Sequence, residues 1–332
     1  MKKSLISATV IALALSAGAA LAADLPSRKE APVYVPPPPP PPLWTGFYVG
    51  LNAGGTWGNS NSVTLNAGPA MGNPLATQVY TVNGVTNVLG ANLLTSSTAA
   101  SSAAGALPGG SNGGFLGGGQ VGYNYQFYNS FVVGIEADIQ GIASSNSTVN
   151  GVGAAVDPTP VFGPRISPFA TISQVQRSLD YLGTVRGRIG YLVTPTLLAY
   201  ATGGLAYGGV NMSASYATLN LGAGSGVAIP ASSFAGPGFG GASYSDTLVG
   251  WTVGGGIEWM FMPNWSAKLE YLYYDLGSVT TPTSFVGGFT NGRNPSWAYA
   301  ANATAQFNGN IVRAGVNYHF NWGAPAPVVA KY

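Results

Sequence analysis

Eight segments of this 332-residue chain have the composition of β-strands, and seven of them alternate between an apolar side chain and a small or polar one. Successive side chains of a strand point to opposite sides, so this alternation is typical of a strand with one apolar and one polar face. The segments are Phe47 to Trp57, Phe115 to Phe127, Phe131 to Gln140, Leu179 to Val193, Leu197 to Tyr207, Val249 to Phe261, Trp265 to Tyr273 and Val312 to Phe320. The fifth is too uniformly small and apolar for its faces to be assigned. The pattern predicts an all-β protein.

The connections between these segments alternate in length. Short turns lie at Tyr128 to Ser130, Thr194 to Thr196 and Met262 to Asn264. A long connection of about fifty residues follows Trp57, and connections of about thirty residues follow the third, fifth and seventh segments. Structureless loops of this length are uncommon in a compact soluble domain. In an up-and-down barrel, all short turns then lie at one end and all long loops at the other. The sequence predicts an eight-stranded antiparallel transmembrane β-barrel with four long external loops and short periplasmic turns.

The first long connection lies within a run from Gly54 to Gly114 that holds no Asp, Glu, Lys, Arg, His or Cys. We interpret it as an external loop that reaches into the aqueous surface layer and need not be packed. Charged residues make up only 7% of the whole chain, against about 25% in typical soluble proteins. After the N-terminus there is no apolar stretch of about 18 residues, so no membrane helix is expected.

The N-terminal segment has the features of an export signal. Lys2 and Lys3 precede an apolar stretch from Leu5 to Leu15, and a small-residue cleavage site ends at Ala22. The expected organisation is a signal peptide at 1–22, a proline-rich periplasmic linker at 23–43, a barrel at 44–322 and a short tail at 323–332. Removal of the signal leaves ten basic and ten acidic residues, so the balance of charge does not favour nucleic acid as a partner. With no cysteines, there is no disulfide framework.

Charged residues on the strands lie at the position parity opposite to the aromatic residues. The set comprises Glu136, Asp138, Asp180, Arg186, Arg188, Glu258, Lys268, Glu270 and Arg313. Because Arg or Lys on the lipid face costs about 2–4 kcal/mol at the bilayer midplane, all nine are predicted to face the lumen. An eight-stranded barrel has room only for side chains, so we expect paired charges that plug it. A narrow porin-like channel for small polar solutes is the alternative.

A catalytic interpretation of these carboxylates is weak. Glu136 and Asp138 occupy adjacent same-face positions of one strand and are matched by arginines, as in structural ion pairs. His319 is the single histidine, and by parity it faces the lumen at the periplasmic end, away from outer-leaflet lipid. We therefore predict no enzyme, no cofactor and no metal site.

Aromatic residues collect at the ends of the segments. They are Trp44, Phe47, Trp57, Tyr191, Trp259, Phe261, Trp265 and Trp322. Belts of this kind place amphipathic rings at the two membrane interfaces.

Three stretches carry a resemblance to a known family: "PLWTGFYVGLNAGG" from Pro42, "VRGRIGYLVTPTLLAYATGGLAYG" from Val185 and "VRAGVNYHF" from Val312. Together with the export signal and the proline linker, they resemble the small outer-membrane immunogenic proteins of alphaproteobacteria over the whole chain. The resemblance implies an abundant, antigenic surface barrel without catalytic residues. It also implies that Phe320 marks the assembly signal read by the barrel insertion machinery, although "NWGAPAPVVAKY" follows it and leaves Trp322 and Tyr332 as alternatives.

The expected location is the bacterial outer membrane, and the expected role is structural: membrane integrity, surface contact and immune recognition. The expected partners are outer-membrane lipid and lipopolysaccharide, with the insertion machinery and periplasmic chaperones during assembly. We expect a monomer. A lipid-modifying barrel enzyme and a soluble adhesin with a sandwich fold are further alternatives.

Overall fold

The computed structural model describes residues 44–59, 62–70, 78–82, 85–89, 92–109, 113–143, 146–156, 168–220, 237–288 and 295–320. All of them belong to the unit Pro42–Tyr332. The expected signal peptide, the proline-rich linker, Trp322 and the C-terminal tail lie outside the described residues.

Strands make up nearly all of the described chain. They are β1 (Gly46–Gly58), β2 (Val63–Pro69), β3 (Gln78–Val82), β4 (Val85–Leu89), β5 (Gly105–Leu107), β6 (Gly114–Phe127), β7 (Phe131–Ala143), β8 (Ser147–Val156), β9 (Pro168–Thr194), β10 (Leu197–Asn220), β11 (Gly238–Met262), β12 (Trp265–Gly288) and β13 (Pro295–Phe320). One helix, α1 (Asn92–Ala103), precedes β5. No helix within these ranges is long and apolar enough to cross a membrane.

Eight strands form a closed ring of antiparallel pairs in the order β1, β6, β7, β9, β10, β11, β12, β13. The last strand returns to the first, with Phe47 opposite Phe320 and Gly58 opposite Gly309. Two of the three expected turns contain residues with positive φ, at Tyr128, Asn129 and Asn264, and asparagine tolerates this region better than most residues. The predicted eight-stranded barrel is confirmed.

The long connections differ from the prediction, because most of their described residues lie in strands. Strands β9 to β13 have 24 to 27 residues each, although about 9–11 residues suffice to cross a bilayer. Three further strands extend the sheet: β8 on β9, β2 on β13, and β5 on β2. The neutral run after Trp57 contributes β2, α1 and β5, and buries Val63, Leu65 and Ala99. The expectation of an unpacked loop was therefore wrong.

Strand β13 shows how the barrel divides into two parts of opposite polarity. Near its C-terminal end, Val312 and Val316 face outward and Arg313 and Asn317 face inward. Earlier in the same strand the inward residues are apolar and the outward ones polar; the inward set is Tyr299, Ala301, Ala303, Ala305, Phe307 and Ile311, and the outward set is Asn302, Thr304, Gln306 and Asn308. We call the first region the membrane part and the second the outer part. The inversion marks the level at which hydrocarbon gives way to water.

Two bulges lie near this boundary. On β9 one extra residue, Asp180, lies between Tyr181 opposite Gly209 and Leu179 opposite Val210. On β12 a second irregularity lies between Asp275 and Ser278, and includes Gly277 with φ +83°. Because a bulge places two residues of one strand opposite one residue of its partner, the inward residues change between odd and even numbers at both places.

The outer part has an apolar core of its own, which we call the outer core. It contains buried residues of β9, β10, β12 and β13, among them Phe169, Met212, Phe285 and Tyr299. Helix α1 packs against β2, β8, β9 and β13 and contributes Ala99, Ala100 and Ala103 to this core.

A chain of buried hydroxyl groups ties α1 to three strands. Ser102 Oγ donates to the carbonyl oxygen of Ala99 at 2.6 Å, so it accepts from Thr171 Oγ1 at 2.7 Å. Thr218 then donates to Thr171 at 2.8 Å, and the Tyr299 hydroxyl donates to Thr218 at 2.5 Å. All four residues are at most 1% exposed. Each hydroxyl group depends on the next one, because a buried hydroxyl without a hydrogen-bond partner lowers the stability of the fold.

We expect Thr171→Val to loosen α1. The substitution keeps the volume but leaves Thr218 without its acceptor, which should lower the free energy of unfolding by about 1–3 kcal/mol. Hydrogen–deuterium exchange of the α1 amides measures this directly and should accelerate. Thr148→Val, an exposed threonine on β8, is the matched control and should leave exchange unchanged. Equal protection of α1 in both variants would contradict the role of the hydroxyl chain.

Candidate functional site

Eight of the nine charges predicted to face the lumen come together inside the membrane part. They are Glu136, Asp138, Arg186, Arg188, Glu258, Lys268, Glu270 and Arg313, each at most 5% exposed. We call this set the charged network. Four acids face four bases, so its net charge is zero, as burial requires.

Arg186 lies at the centre of the network. Its Nη2 is 2.5 Å from Glu136 Oε1 and 2.8 Å from Asp138 Oδ2, and its Nη1 is 2.9 Å from Glu270 Oε1. The Nε group donates to Thr184 Oγ1 at 2.9 Å. One guanidinium therefore joins carboxylates from β7 and β12, on different sides of the lumen.

Arg313 and Lys268 complete the compensation of these acids. Arg313 Nη2 lies 2.8 Å from Asp138 Oδ2 and 2.5 Å from Glu270 Oε2. Lys268 Nζ donates to both oxygens of Glu136, at 2.8 and 3.0 Å. Each carboxylate in this group thus contacts at least two cations.

Arg188 forms a second cluster nearer the periplasmic end. Its Nη2 lies 2.6 Å from Glu258 Oε2, and its Nη1 donates to the Tyr48 hydroxyl at 2.9 Å. The guanidinium also lies over the Tyr200 ring, 4.1 Å from its centre. Tyr48 donates in turn to Glu136 Oε2 at 2.7 Å and so links the two clusters.

Tyr200 escaped the sequence analysis, because it lies on the segment whose faces could not be assigned. Its hydroxyl donates to Glu270 Oε1 at 3.1 Å. The missed signal was parity: Leu198, Tyr200 and Thr202 are buried, whereas Ala201 is exposed. Gly122 leaves the space that the Tyr48 side chain occupies, since a Cβ on Gly122 would lie 2.3 Å from the Tyr48 hydroxyl oxygen.

His319 lies below the network, as its parity predicted. Its Nε2 is 2.8 Å from Ser266 Oγ and 3.4 Å from Glu258 Oε1, and Ser266 itself donates to Glu258 at 2.6 Å. In a catalytic triad the acid orients the histidine through the nitrogen remote from the nucleophile. Here serine and acid contact the same nitrogen and all three groups are buried, so this is not the geometry of a hydrolase.

Asp180 does not join the network, which corrects the prediction. It is the extra residue of the β9 bulge and is exposed, and its carboxylate accepts from Ser178 Oγ at 3.0 Å and from Asn211 Nδ2 at 2.7 Å. Beyond the bulge the inward parity changes, so Arg177 is interior, 3% exposed, and donates to the carbonyl of Gln306 at 2.9 Å. Sequence reasoning missed Arg177 because the predicted strand began at Leu179, whereas the observed strand begins at Pro168.

Six of the eight aromatic residues expected at the interfaces are exposed on the outside of the barrel. They are Phe47, Trp57, Tyr191, Trp259, Phe261 and Trp265, at 38–55% exposure. Trp44 is the exception and is fully buried. Its Nε1 donates to the carbonyl of Pro195 at 3.0 Å, and its ring packs edge-on against His319, 5.7 Å between centres.

Trp44 belongs to a small apolar cluster at the end of the lumen, which we call the floor. The other members are Val132, Leu192, Leu198, Tyr200 and Met260. The charged network thus lies between the floor and the outer core. A cavity of about 20 Å³ lies above it, lined by Arg177, Tyr274 and Phe307 among others, with room for about one water molecule.

The comparisons with known proteins agree with this architecture. Residues 9–320 match the family model described as outer membrane protein beta-barrel domain. The chain is 30% identical over 323 residues to the 31 kDa outer-membrane immunogenic proteins of Brucella melitensis and Brucella suis, covering 96% of this chain and 100% of theirs. It is 29% identical over 163 residues to a 22 kDa outer membrane protein of Rhizobium leguminosarum, covering 48% of this chain and 53% of that protein.

Among solved structures, the outer membrane protein OprG of Pseudomonas aeruginosa aligns with a TM-score of 0.33 at 10% identity, covering 83% of this chain and 97% of that one. The family match and the Brucella relatives confirm the resemblance seen in the sequence, and place the protein in the bacterial outer membrane. The chain belongs to the outer-membrane protein β-barrel family.

Proposed function

We propose that the protein is a structural, surface-exposed outer-membrane barrel without catalytic activity, whose lumen is closed by the charged network. The observation that carries this proposal is the pairing of all eight network charges across the lumen. Side chains that bond to partners on several strands cannot move aside for a solute without leaving buried charges unpaired, which is strongly unfavourable.

The floor and the outer core support the same proposal. Below the network, Trp44 fills the periplasmic end; above it, packed apolar side chains and α1 fill the outer part. A hydrated solute would have to cross two apolar layers and one paired polar layer.

The contribution to the cell is then mechanical and interfacial. A barrel braced by ionic and apolar layers supports membrane integrity, and its outer part presents a polar surface for contact and for immune recognition. The Brucella relatives are named as immunogenic, which supports antigenicity here. We further propose that outer-membrane lipid surrounds the membrane part. Phe320, which lies opposite Phe47 where the ring closes, would serve as the signal for the insertion machinery.

Single-channel conductance tests the closed lumen. The refolded protein, verified by the different migration of unboiled and boiled samples, should leave a planar bilayer silent, because the floor, the charged network and the outer core fill the lumen along its described residues. An open porin inserted under the same conditions is the positive control. Discrete and reproducible steps would overturn the proposal and favour a narrow channel for small polar solutes, to which the water-sized cavity above the network would contribute.

A further inference from the structure

The outward face of β8, β9, β10 and β11 in the outer part forms a continuous four-stranded surface, which we call the outer wall. Strand register aligns its side chains in three rows that cross all four strands. The first row is Thr148, Gln176, Ser213 and Ser243; the second is Asn150, Gln174, Ser215 and Gly241; the third is Val152, Ile172, Ala217 and Phe239. Two hydrogen-bonding rows thus lie beside one apolar row.

These rows are well exposed. All residues of the first two rows are open to solvent, and Val152, Ile172 and Phe239 are 75%, 50% and 71% exposed. Contiguous apolar side chains on an aqueous surface commonly mark an interaction site. The wall lies beyond the lipid-facing residues, on the water side of the polarity inversion, so lipid chains do not cover it.

The wall carries no charge within its rows. Among the residues that the structure describes, the exposed charged side chains nearest to the wall are Asp180 and Asp246, at its membrane-side border. Every arginine and lysine within the described ranges is buried, each at most 5% exposed. The described residues of the wall therefore offer no exposed cation to the phosphate groups of lipopolysaccharide, and the two carboxylates at its border oppose them.

A saccharide chain matches this surface in spacing and in chemistry. Adjacent strands lie about 4.8 Å apart, close to the length of one pyranose ring, so a polysaccharide lying across the strands would place about one ring on each. Pyranose rings present hydroxyl groups at their edges and C–H groups on their faces. Amide and hydroxyl rows beside an apolar row can contact both.

We propose that the outer wall binds the uncharged polysaccharide of the lipopolysaccharide that surrounds the barrel. The inference rests on the surface-contact part of the proposed function, and names the partner and the face that contacts it. It is independent of whether the lumen is closed, since the conductance measurement and the binding measurement concern different surfaces.

The test uses neutral O-polysaccharide released from smooth lipopolysaccharide by mild acid, and therefore free of lipid A. Saturation-transfer NMR with the refolded full-length protein should show saturable binding that is insensitive to salt. Gln174→Ala with Gln176→Ala should weaken that binding about tenfold, since two side-chain hydrogen-bonding groups are removed. Asn302→Ala, an exposed amide on β13 outside the wall, is the matched control and should bind as the unmodified protein does.

Three outcomes would overturn the proposal: no saturable binding, equal binding by the wall variant and the control, or binding only to preparations that retain lipid A. A fourth concerns the apolar row. If Phe239→Ser reduced self-association in sedimentation experiments without altering polysaccharide binding, the row would serve a second copy of the chain, and the saccharide assignment of that row would be wrong. The gel-shift assay confirms that every variant is folded.

Discussion

Arg186→Met should lower the free energy of unfolding by about 3–5 kcal/mol, the range measured when one partner of a buried ion pair is removed. Arg186 contacts Glu136, Asp138 and Glu270 within 3 Å. Its loss would leave the network with one excess negative charge inside a bilayer. The fraction of protein with the folded gel mobility, followed against urea concentration, measures the change.

Two further variants serve as controls for this measurement. Asp180→Asn neutralises a carboxylate that is exposed and should change stability by less than about 0.5 kcal/mol. Adding Glu270→Gln to Arg186→Met restores the charge balance and should recover part of the loss, with a coupling of about 0.5–3 kcal/mol. If Arg186→Met and Asp180→Asn were equally stable, the network would not brace the barrel.

Trp44→Ala should lower the free energy of unfolding by about 3–5 kcal/mol as well, the usual effect of truncating a buried tryptophan. The ring is fully buried in the floor, its indole nitrogen donates to Pro195, and it packs on His319 of the last strand. Its site exists only when the first and last strands have met. The loss should therefore appear mainly as faster unfolding, measured by the rate at which folded mobility disappears in urea.

Trp57→Ala is the matched control, because Trp57 lies on β1, the strand that follows Trp44, but is 44% exposed on the outside. We expect a clearly smaller loss there. Equal losses at the two positions would mean that Trp44 acts as an ordinary interface residue, as its sequence context suggested, and not as part of the floor.

The membrane part was predictable from the sequence because a bilayer enforces a strict rule. A charged side chain on the lipid face is costly, so Glu136, Arg186 and Arg313 were expected to face the lumen. Their pairing was expected because an unpaired charge in a medium of low dielectric constant is strongly unfavourable. The same alternation also predicted the number of strands, the order of their pairing and the position of His319.

The outer part was not predictable by the same means. In the outer part, water lies on one side of the sheet and packed side chains on the other. Between Ala301 and Ala305 of β13, the contrast between the two faces is only that between Ala and Asn or Thr. Such neutral, small residues give almost no periodic signal, so strands were mistaken for loops. Tertiary contacts supply what the sequence pattern lacks, including the core position of α1 and the burial of Trp44.

The single extra residue at Asp180 has a consequence for how relatives of this protein can differ in length. Tyr181 is opposite Gly209 and Leu179 is opposite Val210, and Leu179 and Val210 are buried whereas Tyr181 is not. Deleting Asp180 alone would therefore close the bulge and leave every other side chain of β9 on its present side. A single deletion elsewhere in β9 would turn the side chains beyond it to the opposite side, unless the bulge moved to compensate. Of the one-residue deletions in this strand, the loss of Asp180 is therefore the one that relatives should tolerate best.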